Sequence, residues 1–559
     1  MDKVFLERYN RLNKAQKEAV DTIEGPVMVI AGPGTGKTSI LTLRIANILR
    51  QTDTPPSGIL AITFTDSGVK SMKQKLREII GSRADEVRIH TFHGFAASII
   101  SEFKEYFVHL SDAVQMTDID QVELVKHILT DNTYKDLRPF GNEDFYVDHL
   151  LGMIRDAKKD AVTPEMLADF AQTEVKRIES DEASISTRGA TKGQLKADAK
   201  RAIDKCKRTI LASEVYKQYE YRKQHPLAGG KKMMDFDDLI VEVLKALREH
   251  EVLLRSIQEK YLYVHVDEHQ DTNDSQNAII TLIAAFFDSP NVFIVGDEKQ
   301  AIYRFQGASV KNFLQFESLW SDMKVISLEH NYRSHQSILD ASFAMIEANY
   351  DEGQHERLRV RLQSGSNDTQ RPVEVVTAGN ITAAEQYLTE TIKQIQTNDS
   401  QATIAIISRT NADIERVVRS CAAEGINVAS ERSINIFNHP IGLLFFALIE
   451  CIENPLALDA WSRTIVGGLW SLDFTARTEI LQKIRKEGIE TIGKDIPAYE
   501  AIRSEIVQDS PLEFFMTCAD KSGLIERVST DPVYVEVWRG IYTFVESVIR
   551  QKGCVDPIE

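Results

Sequence analysis

Apolar and β-branched residues gather in short runs along the N-terminal part of the chain, and each run stops at a glycine, an acid or an aromatic. The runs are Val27–Ala31, Ile59–Thr63 with Phe64 and Thr65 behind it, Val87–Thr91, Tyr261–Val266, Val292–Val295 and Val325–Leu328. Such runs predict strands. The stretches between them are helical in period, which predicts an α/β fold with a parallel sheet flanked by helices. Ligands gather at the carboxyl ends of strands in such sheets, and every motif of interest sits at one of those ends. Asn13 predicts the cap of a helix with Ala15, Ala19 and Val20 on its buried side. From about residue 103 to 205 the pattern is helical throughout, with a Thr117/Asp118 cap ahead of Ile119, Val122, Leu124, Ile128 and Leu129. The polar stretch 180–200 reads as a loop. Val373–Val376 and Thr403–Thr410 read as strands of a second α/β segment, and after Pro440 the pattern is helical to the end. Gly442–Ile449 is apolar but far shorter than a membrane span, so it reads as a buried helix.

At 559 residues the chain is long for a single core, and a prior of about 150 residues per domain suggests three or four. Hydrophobic content of 43% with 27% charged residues describes a soluble globular protein. The first residues lack the basic head and apolar stretch of a signal peptide, so a cytoplasmic protein without a membrane partner is expected. Cys206, Cys421, Cys451, Cys518 and Cys554 lie far apart with no CxxC spacing, which argues against zinc, iron–sulfur clusters and a disulfide framework. A net charge of −17 sits awkwardly with a nucleic-acid partner. Any such reading has to rest on local motifs.

The first motif is Ala31-Gly32-Pro33-Gly34-Thr35-Gly36-Lys37-Thr38, a strand opening into a glycine-rich turn that ends in Lys-Thr. Backbone N–H groups of such a turn cradle a polyphosphate, and the helix that follows aims its positive end at the same charge. Lys37 would neutralise the β and γ phosphates of ATP, and Thr38 would offer a hydroxyl to Mg²⁺. Ala31 stands where the strict pattern has glycine. Gln16 is a candidate reader of adenine, its competing reading a surface glutamine. The apolar run ending in Asp267-Glu268 is a second motif. Asp267 would hold the metal, and Glu268 would activate the attacking water. Gln300 would sit near the γ-phosphate. Arg333 is a candidate arginine finger, or else a surface ion-pair arginine. Thr65, Thr91 and His93 are candidates for nucleic-acid phosphate contacts, with a hydrogen-bonded loop histidine as the alternative for His93. Phe64, Tyr303 and Phe305 are candidates for stacking on bases, with core packing as the alternative.

Together the motifs, their order and their spacing resemble superfamily 1 DNA helicases of the UvrD/Rep/PcrA type, over roughly the first 450 residues. The strings that carry the resemblance are Leu12–Gln16, Ala31–Thr38, Thr63–Thr65, Thr91–Gly94, Asp235–Leu239, Asp267–Asp271, Gly296–Ala308 and Asn331–Ser334. The resemblance implies a P-loop NTPase with two RecA-like domains, each carrying a helical insertion. The expected boundaries are 1–105 and 206–312 for the first domain, 106–205 for its insertion, 313–440 for the second domain and 441–559 for a partial second insertion. It also implies ATP-driven 3′ to 5′ movement on single-stranded DNA with duplex separation, a role in repair or replication, and protein partners from those processes. Tyr332 would stack on adenine, Arg333 and Gln300 would contact the γ-phosphate, and Phe64, Tyr303 and Phe305 would be stepping platforms. Ser39 and Gln306 depart from the family pattern, which usually has arginine at both positions. No counterpart of the family's last two motifs follows Thr410, so the second domain is expected to be incomplete and the chain a partial form that hydrolyses ATP slowly alone. The competing reading is a nucleotide-regulated DNA-binding protein that unwinds nothing; strand displacement on a 3′-tailed duplex separates the two.

Overall fold

The computed structural model describes residues 2–139, 144–186, 193–226, 231–301, 313, 315–348, 360–366, 372–429, 436, 439–487, 495–505 and 510–552. The chain divides into two compact units, Met1–Val373 and Glu374–Glu559.

The first unit is built on six strands: β1 Val27–Ala31, β2 Ile59–Thr63, β3 Arg88–Thr91, β4 Tyr263–Val266, β5 Val292–Gly296 and β6 Lys324–Leu328. Their order is β3-β2-β4-β5-β1-β6, and every pair is parallel. All six carboxyl ends therefore lie on one edge. β1, β2 and β5 are buried along their whole length, as a sheet covered on both faces demands. Alternate residues feed opposite layers. Met28, Ile30, Leu60, Ile62, Val264 and Ile294 pack with helices α5 (Phe92–Glu102), α10 (Asp238–Glu249) and α12 (Asp274–Ala284). Val27, Val29, Ile59, Ala61, Phe293 and Val295 pack on the other side with α3 (Lys37–Gln51) and α4 (Asp66–Ile80).

Between β3 and β4 the chain is largely helical, as its period predicts. Helices α6 (Asp118–Leu129), α7 (Val147–Lys159) and α9 (Ala197–Gln224) share a core that includes Val125, Ile128, Leu151, Ile154, Val215 and Tyr219. One departure from the helical reading is a two-residue strand, Val114–Gln115, pairing in parallel with Met233–Met234. Within the polar stretch 180–200, Ile185 and Leu195 form an antiparallel bridge and α9 already begins at Ala197. That helix continues unbroken through residue 205 to Gln224. A buried charge cluster ties α7 and α9 to the start of α10. Lys158 Nζ lies 2.5 Å from Asp235, 2.7 Å from Asp238 and 2.9 Å from Glu220. Lys223 Nζ lies 2.7 Å from Asp238, 3.0 Å from Asp235 and 3.0 Å from Glu220.

The second unit, among its described residues, is helical. Its core gathers Phe445, Leu448, Trp461, Trp470, Tyr499, Phe514 and Val537, among others. The apolar helix Pro440–Glu453 is buried, as read from the sequence. The strands expected at Val373–Val376 and Thr403–Thr410 do not form. Residues 372–378 and 402–408 carry no ladder, and Val375 and Ile407 are 90% and 94% exposed. A strand is completed by its neighbour, and these runs have none among the described residues. No helix of the described residues is long and apolar enough to cross a membrane.

Candidate nucleotide and DNA sites

β1 delivers its last residue, Ala31, into a turn that reverses into α3 at Lys37. Gly34 and Gly36 have φ of +70° and +90°, where a side chain would strain the backbone. Gly34 is also sterically enclosed, since a Cβ there would come within 2.7 Å of Arg333 Cβ and 2.8 Å of Asn331 Nδ2. The Thr35 hydroxyl, fully buried, donates to Gly32 O at 2.8 Å and closes the turn from inside. Gln16 is not a surface residue. It is 5% exposed, its amide oxygen accepts from Asn13 N at 3.0 Å, and its amide nitrogen donates to Thr35 O at 2.8 Å. The first-turn helix cap and the glycine-rich turn are thereby joined.

Lys37 Nζ donates to Glu268 Oε2 at 2.8 Å and to Gln300 Oε1 at 3.3 Å. Three candidates from separate strands thus meet at one point. Asp267, the first residue after β4, is 6% exposed. Burial, and after it the neighbouring charge of Glu268, push its carboxyl up to about 6. Glu268 adopts φ +50° and ψ +45°, a left-handed conformation rare for a residue with a side chain. Strain of this kind concentrates at functional sites. Thr38 and Ser39 follow Lys37 in the first turn of α3, Thr38 half-buried and Ser39 exposed.

Past β6 the chain folds back over the turn. His330–Asn331 pairs with Gln363–Ser364 in a short parallel ladder. Asn331, fully buried, donates from Nδ2 to Pro33 O at 2.5 Å and accepts at Oδ1 from the N–H groups of Arg333 and Ser334 at 2.8 and 2.7 Å. Tyr332 N donates to Gly34 O at 2.9 Å, and the half-exposed ring offers its hydroxyl oxygen to Asn13 Nδ2 at 3.0 Å. Arg333 is exposed beside the turn.

The second group of candidates meets at the carboxyl ends of β2 and β3. Thr65 and Thr91 are helix caps, accepting from Gly68 N at 3.0 Å and Gly94 N at 3.1 Å. Phe64, Thr65, Thr91 and His93 line one cavity of about 320 Å³ together with Phe236 and Gln276. The His93 ring stacks on Phe236 with centroids 3.9 Å apart and 22° between planes. Burial holds the His93 imidazole down at about 4, so it is neutral at physiological pH. Tyr303, Phe305 and Gln306 lie outside the described residues.

Three contributors were missed in the sequence. Asn331 and Gln270 hold the site through backbone and side-chain bonds that spacing does not reveal. Phe236, 56% exposed, did carry a signal: an aromatic flanked by aspartates just before a helix.

Two family descriptions match the chain: "UvrD/REP helicase N-terminal domain" over residues 12–320 and "UvrD-like helicase C-terminal domain" over 326–492. Among curated relatives, the ATP-dependent DNA helicase PcrA of Bacillus subtilis (strain 168) is 30% identical over 446 residues, covering 79% of this chain and 53% of the relative. The PcrA of Leuconostoc citreum is 29% identical over 497 residues, covering 87% and 58%. A third PcrA, from Staphylococcus epidermidis, is 30% identical over 401 residues, covering 72% and 48%. The chain spans about half the length of the curated relatives it matches. A glycine-rich turn facing an Asp-Glu pair, inside a match that runs over more than half of the sequence, establishes that this chain belongs to the UvrD/REP helicase family.

Proposed function

We propose that the chain binds and hydrolyses ATP and uses the cycle to move 3′ to 5′ along single-stranded DNA and separate duplex ahead of it. The observation that carries this reading is the meeting of Lys37, Glu268 and Gln300 on the sheet edge that also bears the Phe64–His93–Phe236 cavity. In this reading the backbone N–H groups of Gly32 and of Gly34–Thr38, together with the Lys37 ammonium, hold the phosphates, Tyr332 stacks on the base, and Arg333 approaches the γ-phosphate. Glu268, released from Lys37 when phosphates draw the ammonium away, accepts the proton of the attacking water. The donors available for a metal, the Thr38 hydroxyl and the Asp267 carboxylate, are all oxygen, which suits magnesium. A cation there would offset the burial that pushes Asp267 up to about 6. When bound, the ion supplies positive charge to the phosphate oxygens. Single-stranded DNA would lie across Phe64, Thr65, Thr91, His93 and Phe236, with Tyr303 and Phe305 as further platforms. The helical segment 106–205 acts as the insertion of the first RecA-like domain, and repair or replication proteins are the partners this activity would serve.

The test is ATP turnover with and without single-stranded DNA, followed by strand displacement on a 3′-tailed duplex. Lys37→Ala is expected to weaken nucleotide binding, while Glu268→Gln keeps nucleotide bound and lowers turnover at least a hundredfold, roughly the worth of a general base. A Glu268→Gln protein that hydrolyses ATP as fast as the wild type sinks the assignment.

A further inference from the structure

Five groups at the nucleotide site close into a ring. Lys37 Nζ donates to Glu268 Oε2 at 2.8 Å, and Gln270 Nε2 donates to the same oxygen at 2.9 Å. The other end of the Gln270 amide, Oε1, accepts from Asp297 N at 3.1 Å. Asp297 Oδ2 accepts from Gln300 Nε2 at 2.8 Å, and Gln300 Oε1 accepts from Lys37 Nζ at 3.3 Å. Four of these groups have a role in the proposed chemistry or belong to the loop that carries Gln300. Among the described residues, the phosphate-facing group that Gln270 bonds is Glu268.

We propose that Gln270 is the positioning residue that fixes the Glu268 carboxylate against the Gly296–Gln300 loop, so that a shift of the loop moves the hydrolytic base. This rests on the ATP-hydrolysis reading above. Gln270 is 1% exposed and uses both ends of its amide, with a longer contact from Nε2 to Asp271 Oδ2 at 3.4 Å. An amide suits this place, because it carries a donor toward two carboxylates and an acceptor for a backbone N–H on one short side chain. A glutamate here would crowd a third carboxylate against Glu268 and Asp271, and a lysine could not accept. The loop is shaped for the contact. Gly296 leaves room that a Cβ would take, 2.7 Å from Gln270 Oε1 and 2.8 Å from Phe313 Cε2. The left-handed backbone at Glu268 leaves that side chain without the support of a regular element, and its carboxylate takes its direction from Lys37 and Gln270. Lys37 is the partner that nucleotide phosphates would claim. Gln270 is then the remaining tether.

The test is steady-state ATP turnover of the full chain with single-stranded DNA for wild type, Gln270→Leu and the near-isosteric Gln270→Glu. Loss of the tether misplaces the base, so at an assay temperature well below the Tm of each variant kcat is expected to fall about tenfold or more in both, with KM for ATP within about twofold of wild type. If Gln270→Leu does not fold, Gln270→Glu carries the comparison. Turnover within about twofold of wild type in a folded variant overturns the proposal. So does a fall in kcat matched by an equal rise in KM and a loss of Tm, or a failure of both variants to fold, since each marks a framework role. A wild-type chain that binds ATP but never hydrolyses it overturns the functional reading as well, and so separates the two failures.

Discussion

His265 stands in the middle of β4, fully buried, with its ring 5.7 Å from that of Phe293. Burial, and after it the charge of Arg44, push its imidazole well below the ordinary histidine range. His269 is held at about 4, chiefly by burial. Both are neutral in the folded chain, whereas the unfolded chain takes up protons near pH 6.5. The unfolded state therefore binds more protons as pH falls from about 6.5 toward 4, and stability present above that window is lost within it. Each such histidine contributes a slope of up to about 1.4 kcal/mol per pH unit. His265→Leu is expected to flatten the pH dependence of urea unfolding between pH 7 and 5 relative to wild type. Identical slopes would show that the ring is protonated without cost. At this scale the sequence was legible where chemistry is local. Lys37 and the Asp267-Glu268 pair follow from spacing alone. Asn331, Gln270 and Phe236 were not legible in the same way, because their contribution lies in partners tens or hundreds of residues away.

Helices α7, α9 and α10 meet at two lysines and three carboxylates, and the joint depends on charges removed from water. Against the opposing cost of burial, Lys158 and then Lys223 hold Asp235 below the usual carboxylate range. Asp235 and Asp238 also exchange backbone bonds, with Asp235 N donating to Asp238 Oδ2 at 2.7 Å and Asp238 N to Asp235 Oδ1 at 3.1 Å. Taking away one lysine leaves buried carboxylates short of counter-charge, which typically costs about 3–5 kcal/mol. Lys158→Met is expected to destabilise the chain by that amount in urea unfolding. Adding Asp235→Asn should cost less than the sum of the two single changes, since they share the interaction. A Lys158→Met chain as stable as wild type would mean that water reaches the cluster. The string Asp235–Leu239 was visible in the sequence as a motif, but its partners on α7 and α9 were not. Element types were legible in the first unit, where each apolar run finds a neighbouring strand. They failed at Val373–Val376 and Thr403–Thr410, because apolarity reports a wish for burial and cannot say whether a covering layer is there.

Across the first unit, the sheet order sets which parts of the chain depend on which. β2 and β3 follow β1 closely in sequence, yet β1 pairs with neither; its partners begin at Val292 and Lys324. The glycine-rich turn is carried by a strand whose two neighbours arrive last. Parallel order in a long chain could not be read from the runs themselves, which are alike in length and composition; the fold class was legible, the order was not.

That order has a consequence for synthesis. At roughly 5–20 residues per second, about 15–60 s pass between translation of β1 and translation of its second partner strand. Until Val292–Gly296 is made, the backbone groups of β1 lack both of the ladder partners they have in the folded chain, although α3 and α4, which cover Val27 and Val29, follow at once. The glycine-rich turn is thus among the first features made and among the last to acquire its geometry. Nascent chains arrested before residue 292 are expected to be cut by protease near β1 and to ignore ATP, while chains released past Leu328 gain protection there; early protection would mean that β1 finds a temporary partner.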